Sequence, residues 1–158
     1  ENYDNCPDSC NIDLILPVPA TTVTTDNDRW LPASNIVDGR KDQTESFWAG
    51  QGAPHWVRID LEQDKQFNKL DIIPSGKGTD AGYYWYIGAW EVKYATNSAP
   101  STWLDFNNVI QTDGLGTLTL PGIHMSNTDP GHHSSDDNYK FYSFKFDPVN
   151  ARYIKYHT

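Results

Sequence analysis

Residues 34–61 read S-N-I-V-D-G-R-K-D-Q-T-E-S-F-W-A-G-Q-G-A-P-H-W-V-R-I-D-L. The stretch joins an acidic loop, punctuated by glycine, to a tryptophan, a short turn and a strand. In W-V-R-I-D-L the side chains alternate. Val57, Ile59 and Leu61 share one face, while Trp56, Arg58 and Asp60 share the other, as in a strand buried on one side. Upstream, Asp38-Gly39 followed by Asp42 and Thr44 either reverses the chain or gathers oxygens around a hard cation.

Outward from this stretch, short alternating runs broken by turn residues recur, and helical periodicity is hard to find. Residues 11–16 form a short apolar run ended by Pro17 and Pro19, and residues 69–73 stop at Pro74. Residues 90–94 set Trp90, Val92 and Tyr94 against Glu91 and Lys93. Leucine and threonine alternate over 115–120, and aromatic strands are expected at 141–146 and 153–156. Clusters of Gly, Pro, Asn and Asp lie between these runs, the spacing of an all-β sandwich with long loops. Three connections, 21–34, 74–88 and 121–139, exceed the usual length, and such loops tend to carry function or to be disordered.

The 158 residues show no internal repeat or linker, so the expectation is a single domain over 1–158, large enough to bury one core without many staples. Aromatics make up 13%, with 6 Trp and 9 Tyr against a single Met, which suits a stiff β core and a surface that recognises something flat. A net charge of −9 argues against duplex nucleic acid and against anionic membrane surfaces, both of which need Lys/Arg neutralisation. No apolar run reaches the roughly eighteen residues that span a bilayer. Glu1 in place of an initiator Met suggests a processed chain or a domain cut from a larger multidomain protein. Cys6 and Cys10 lie in C-P-D-S-C within an extension over 1–10. A local disulfide, free thiols or partners outside this stretch are the open readings. A zinc site lacks its second Cys or His pair. The acidic, Asn-rich surface points to a secreted, extracellular or cell-surface protein.

Four blocks occur in order at 36–48, 56–61, 85–94 and 151–156: a D-G…W loop, W-V-R-I-D-L, a glycine-aromatic segment before E-V, and A-R-Y-I. Together they resemble the coagulation factor V/VIII type C, or discoidin, domain, and within it the family 32 carbohydrate-binding modules. The resemblance runs from about residue 11 to the C-terminus. It implies an all-β, discoidin-like (galactose-binding-like) jelly-roll β-sandwich, with Trp48, Trp56 and Trp103 at core positions. The strand that closes the sandwich in those modules would lie beyond Thr158, or the 11–16 strand would fill its place.

The resemblance also implies a ligand surface built from loops at one end, here 27–31, 49–54, 75–86 and 132–138. The run A-G-Y-Y-W-Y-I-G packs four aromatics between glycines, and strand alternation buries about half of them and exposes the rest. An exposed Trp or Tyr stacks on the C–H face of a pyranose, while amides and charged groups fix the hydroxyls. The candidate ligand contacts are Trp30, Lys77, Asp80, Tyr83, Tyr84, Trp85, His132 and Asn138. Galactose-binding members carry an arginine and a histidine where this chain has Ser75 and Ala49; Lys77 or His55 could take the cationic or donor role, and the particular sugar stays open. His132, His133, Asp136 and Asp137 are read first as a solvated polar loop, with a sugar contact or a metal as the alternatives.

Family 32 modules typically hold one structural Ca2+. By position its ligands here would be Asn35, Asp38, Arg40, Asp42 and Thr44, through carboxylate, hydroxyl and backbone carbonyl oxygens. Such mixed oxygens suit Ca2+, which takes about six to eight at 2.3–2.6 Å. A turn with no ion is the plainer alternative. The function this implies is a non-catalytic module that targets a larger extracellular protein or enzyme to an oligo- or polysaccharide. The alternative is a discoidin-type adhesion module binding a protein or membrane surface. No nucleophile or metalloprotease motif marks an enzyme.

Overall fold

Alternation and turn chemistry divide the chain into strands, and a computed structural model places them. It describes residues 22–26, 33–37, 55–72, 76–77, 84–85, 89–114, 117–126 and 142–158, with backbone alone at 35, 76, 77, 84 and 85. In chain order these are β1 (Val23–Thr25), a 3-10 helix (Ala33–Val37), β2 (Trp56–Ile72), β3 (Gly76–Lys77), β4 (Tyr84–Trp85), β5 (Trp90–Ala95), β6 (Ile110–Asp113), β7 (Thr117–Thr119), β8 (Ile123–Ser126) and β9 (Tyr142–His157). Pairing is antiparallel throughout, in the order β1-β2-β9-β5-β8-β7 with β6 also on β9, and β3–β4 form a separate hairpin. The architecture is an all-β jelly-roll sandwich.

Two long strands build both layers. Residues 56–60 of β2 pair with 157–153 of β9, and residues 65–72 pair with 151–142; the ladder is irregular between Asp60 and Lys65 and again between Phe67 and Lys69. The 153–157 end of β9 also pairs β5, whereas its 143–145 end pairs β6. The Trp90 ring lies 5.5 Å from Tyr156, beside it in the sheet, and equally 5.5 Å from Tyr142 and 6.0 Å from Phe144. Both ends of β9 therefore meet on one indole, and β9 folds over between them, as β2 does with it.

Local chemistry marks the bend. Pro148 offers no N–H to a ladder and sits exposed. Glu62 has φ 68°, the left-handed region, and its N–H donates to Asp60 Oδ1 at 2.7 Å. Arg152 binds Asp60 with two nitrogens, at 2.7 and 3.0 Å, and donates to Asn97 Oδ1 at 2.7 Å, while Asn97 N–H donates to Asp64 Oδ1 at 2.9 Å. One guanidinium thus ties the bends of β2 and β9 to the turn that follows β5.

Between the layers the core is aromatic. Phe67, Phe106 and Phe146 pack with ring centroids 4.3–6.3 Å apart, in tilted and edge-on arrangements. Phe106 comes from the crossover between β5 and β6 and is fully buried. At the end of β6, Gly114 takes φ +107°, and a Cβ there would stand 2.6 Å from the Tyr142 ring, so only glycine lets the two meet.

Several expectations are corrected. The expected strands at 56–61 and 69–73 belong to one strand as far as Ile72, and those at 141–146 and 153–156 to another from Tyr142 on, because the polar residues between them bend the ladder without ending it. The 121–139 connection contains β8, the 21–34 connection contains β1, and β6 was not anticipated. Trp56 and Trp103 are not core residues: both stay partly exposed and flank Lys155. The alternation that buries Val57 turns Trp56 outward. Trp90 is buried, at 3% exposure. Trp48, residues 11–16 and the Cys6/Cys10 extension lie outside the described residues.

Hydrogen bonding by Arg152 holds the Asp60 carboxyl below the usual carboxylate range, against the opposing effect of burial. A carboxyl whose folded pKa is depressed adds stability above its unfolded value of about 3.9, and loses it as pH falls through the folded value. Asp60→Asn should therefore unfold more easily than wild type at pH 7, by about 0.5–1 kcal/mol for a partly exposed pair. Urea titrations should show that gap closing below about pH 4; a gap independent of pH would mean the pair contributes nothing through its charge.

Candidate functional site

The doubled-back strands bring the long connections to one end of the sandwich. Trp56, Ile72, Trp90, Met125, Tyr142 and His157 are linked there by direct register, as Trp56↔His157, His157↔Glu91, Trp90↔Met125 and Ile72↔Tyr142, and by the packing of Trp90 on Tyr142. The described residues Asp26, His55, Ile72, Trp90, Ser126 and Tyr142, from which the chain leaves or to which it returns, belong to this end or adjoin it in sequence; the loops expected to carry the ligand surface lie mostly outside the described residues.

The frame under the rim is pinned by hydrogen bonds. Trp56 N–H donates to Asp26 Oδ1 at 3.0 Å, and the Thr25 hydroxyl donates to the Trp56 carbonyl at 2.6 Å. Asp26 Oδ2 also lies 3.6 Å from His55 Nδ1. Thr158 N–H donates to the His55 carbonyl at 2.9 Å, and His55 N–H donates to the Thr158 hydroxyl at 3.0 Å. These contacts fix where 27–32 leaves and where 38–54 returns.

Three of the eight expected ligand contacts come together. In the β3–β4 hairpin Lys77 stands opposite Tyr84 and Gly76 opposite Trp85, so a cation and two aromatics share four paired positions. Trp30, Asp80, Tyr83, His132 and Asn138 lie outside the described residues. Of the cation ligands, Asn35 falls within the 3-10 helix, whose end at Val37 leads directly to Asp38. Asp38, Arg40, Asp42 and Thr44 lie outside the described residues, as do His133, Asp136 and Asp137.

A second polar cluster was not anticipated. On the outward side of the sheet, His124 lies between two carboxylates, with Nδ1 3.1 Å from Glu91 Oε2 and Nε2 2.9 Å from Asp105 Oδ1. Lys93 approaches the same carboxylates at 3.6 and 3.7 Å, and His157 Nδ1 stands 3.7 Å from Glu91 Oε1. Each ring nitrogen of His124 thus faces a carboxylate, and Lys93 lies near the same two acids, so the group is an interlocked polar cluster on the sheet face. Among the described residues no three His, Cys, Asp or Glu side chains are placed to hold a metal. Nor is any described helix long and apolar enough to cross a membrane.

Under the rim, the Tyr156 hydroxyl and Trp90 Nε1 are shielded from solvent and have no hydrogen-bond partner among the described residues. Burial, and secondarily the proximity of Tyr142, pushes the Tyr156 phenol well above its usual range.

The chain belongs to the F5/8 type C domain family, whose model matches residues 19–158. Among curated protein sequences nothing matches it. Solved structures share its fold at low identity. A fucose-binding module of Streptococcus pneumoniae is 16% identical, with a TM-score of 0.60 over 93% of this chain and 84% of that one. Chitosan-binding module 2 of a chitosanase/glucanase from Paenibacillus sp. IK-5, in complex with chitotriose, is 14% identical, with a TM-score of 0.56 over 92% and 86%. A family 32 module of Clostridium perfringens, in complex with GalNAc-β-1,3-galactose, is 12% identical, with a TM-score of 0.54 over 89% and 86%.

A tyrosine held neutral by burial adds stability up to its unfolded pKa of about 10, and loses it as pH rises toward the higher folded value. Tyr156→Phe should be neutral to stabilising at pH 7, since the hydroxyl has no partner to lose. It should also soften the alkaline decline. Thermal unfolding of both proteins between pH 7 and 11 measures this, and parallel alkaline declines would remove Tyr156 as their cause.

Proposed function

We propose that this chain is a non-catalytic carbohydrate-binding module that targets a larger extracellular protein or enzyme to an oligo- or polysaccharide. The observation that supports this reading is the register Lys77↔Tyr84 and Gly76↔Trp85, which sets a cation and two aromatics at neighbouring positions of one short strand pair between β2 and β5. Aromatic faces stack on a sugar ring and a lysine donates to its hydroxyls, in a surface that needs no reacting group. Membership of the F5/8 type C family supports the reading, and so do solved relatives of this fold bound to chitotriose and to GalNAc-β-1,3-galactose. Shallow stacking with a few hydrogen bonds gives micromolar to millimolar affinity, about 4–8 kcal/mol. Neighbouring modules in a longer protein would raise the effective affinity without new contacts.

A structural Ca2+ belongs to the same proposal. Carboxylate oxygens of Asp38 and Asp42, the Thr44 hydroxyl and backbone carbonyls at Asn35 and Arg40 form a donor set of the hard-oxygen kind that Ca2+ prefers. Asn35 sits in the 3-10 helix packed beside β1, which fixes the start of that loop. The ion would hold the 38–54 segment against the rim and take no part in chemistry.

In affinity gels cast with soluble glycans, wild type should be retarded by at least one neutral polysaccharide. Trp85→Ala and Trp30→Ala should each release it by tenfold or more, about 1.4 kcal/mol. If both variants migrate like wild type, the hairpin is not the site. Melting with EDTA against saturating Ca2+ tests the ion: Ca2+ at about 100 times its dissociation constant stabilises by about 2.7 kcal/mol, and coincident melts in the two buffers would exclude it.

A further inference from the structure

The outward side of the main sheet sets three cations in one row. Arg58 of β2 stands opposite Lys155 of β9, and Lys155 stands opposite Lys93 of β5. Like charges directly across a ladder repel, and in a chain of net charge −9 such a row is conspicuous. Lys93 is compensated by Glu91 and Asp105. Lys155 has no ion-pair partner among the described residues: its ammonium lies 5.4 Å from the Trp56 ring and 5.4 Å from the Trp103 ring. Arg58 lies 5.1 Å over the Tyr153 ring, and its Nε is shielded from solvent with no hydrogen-bond partner.

Rings relieve part of this repulsion but not its sign. A cation over an indole gains about 0.5–1 kcal/mol at an exposed site, yet an aromatic ring carries no net charge. Lys155 therefore remains uncancelled, Arg58 is compensated only in part by its charge interaction with Asp60, and both indoles beside Lys155 stay partly exposed instead of joining the core. A flat face with an unpaired ammonium set between two ring surfaces suits a ligand that is itself a ring bearing an anion.

We propose that this outward sheet face, which meets the rim at Trp56, is a second binding surface distinct from the β3–β4 hairpin, and that its occupant is an acidic saccharide. A carboxylate or sulfate would seat on Lys155 and Arg58, with the sugar ring against Trp56 or Trp103. The chain's net negative charge repels extended polyanions in general, so attraction arises only where these cations are local and the rings add contact.

Native electrophoresis of the full chain through gels containing polygalacturonate, dextran sulfate, fully methyl-esterified polygalacturonate or polyglutamate tests this. Retardation is expected from one or both acidic polysaccharides; which of them acts separates carboxylate from sulfate. The esterified polymer and polyglutamate should not retard the chain through this face. Lys155→Met, which keeps the stem against the indoles and removes the charge, should weaken binding about tenfold, and raising salt should do the same. Trp85→Ala should leave acidic binding intact even where it abolishes neutral glycan binding, so the two surfaces fail independently. The proposal is overturned if Lys155→Met and Arg58→Gln both run like wild type. It is also overturned if polyglutamate retards as strongly as polygalacturonate, or if Trp85→Ala removes acidic binding too. Concentration-dependent self-association that Lys155→Met abolishes would assign the face to a second copy of this chain instead. Should Lys155→Met lose its near-ultraviolet circular dichroism, Arg58→Gln alone decides.

Discussion

The packing of Trp90 against both ends of β9 is the contact that the rest of the structure depends on. An indole at the start of β5 can touch Tyr156 as a sheet neighbour and Tyr142 and Phe144 across the core only if β9 turns back on itself. Because β2 follows β9 through both halves of the ladder, it must turn as well. Two layers then arise from two strands, and the ends of those strands are delivered to one edge of the molecule. The bends are handled elsewhere, by the Arg152 guanidinium spread over Asp60 and Asn97.

The same geometry brings residues distant in sequence to one end of the sheet: Trp56, His157 and Glu91 lie in one register row, and Trp90 pairs with Met125 and packs on Tyr142. Pinned ends such as Trp56 on Asp26 and His55 on Thr158 keep the spacing of β1, β2 and β9 fixed there. Affinity for a shallow sugar site depends on such rigidity, since every rotamer or loop left mobile in the free state must be ordered on binding.

Much of the fold was legible in the sequence because its causes are local. The alternation of Val57, Ile59 and Leu61 against Trp56, Arg58 and Asp60 is the burial pattern of the strand itself, and Trp90 and Val92 are buried as their own alternation requires. What escaped was non-local. Residues 62–68 read as a polar break, yet they are a strand bending over a corner, held by an arginine ninety positions away. The role of Lys155 cannot be read from its neighbours in sequence, because Trp56, Trp103 and Arg58 reach it only through the register. Family likeness also misled at Trp56, where the simple parity of the strand pointed the right way, and at Trp103, which lies outside the strands and carries no such parity signal. The register Lys77↔Tyr84 also escaped, because the sequence marks 74–88 only as one long connection and the strand pair within it is two residues long on each side.

One property of β9 has a mechanical side. Over residues 153–157 the strand lies between β2 and β5, with five register pairs on each flank, and Thr158 is bonded to His55 just beyond them. A pull transmitted through Thr158 along the strand axis would load both ladders in shear, so that bonds share the tension and must rupture together instead of peeling one by one. A tether anchored at that point would hold against flow far better than the modest grip of the surface it connects to.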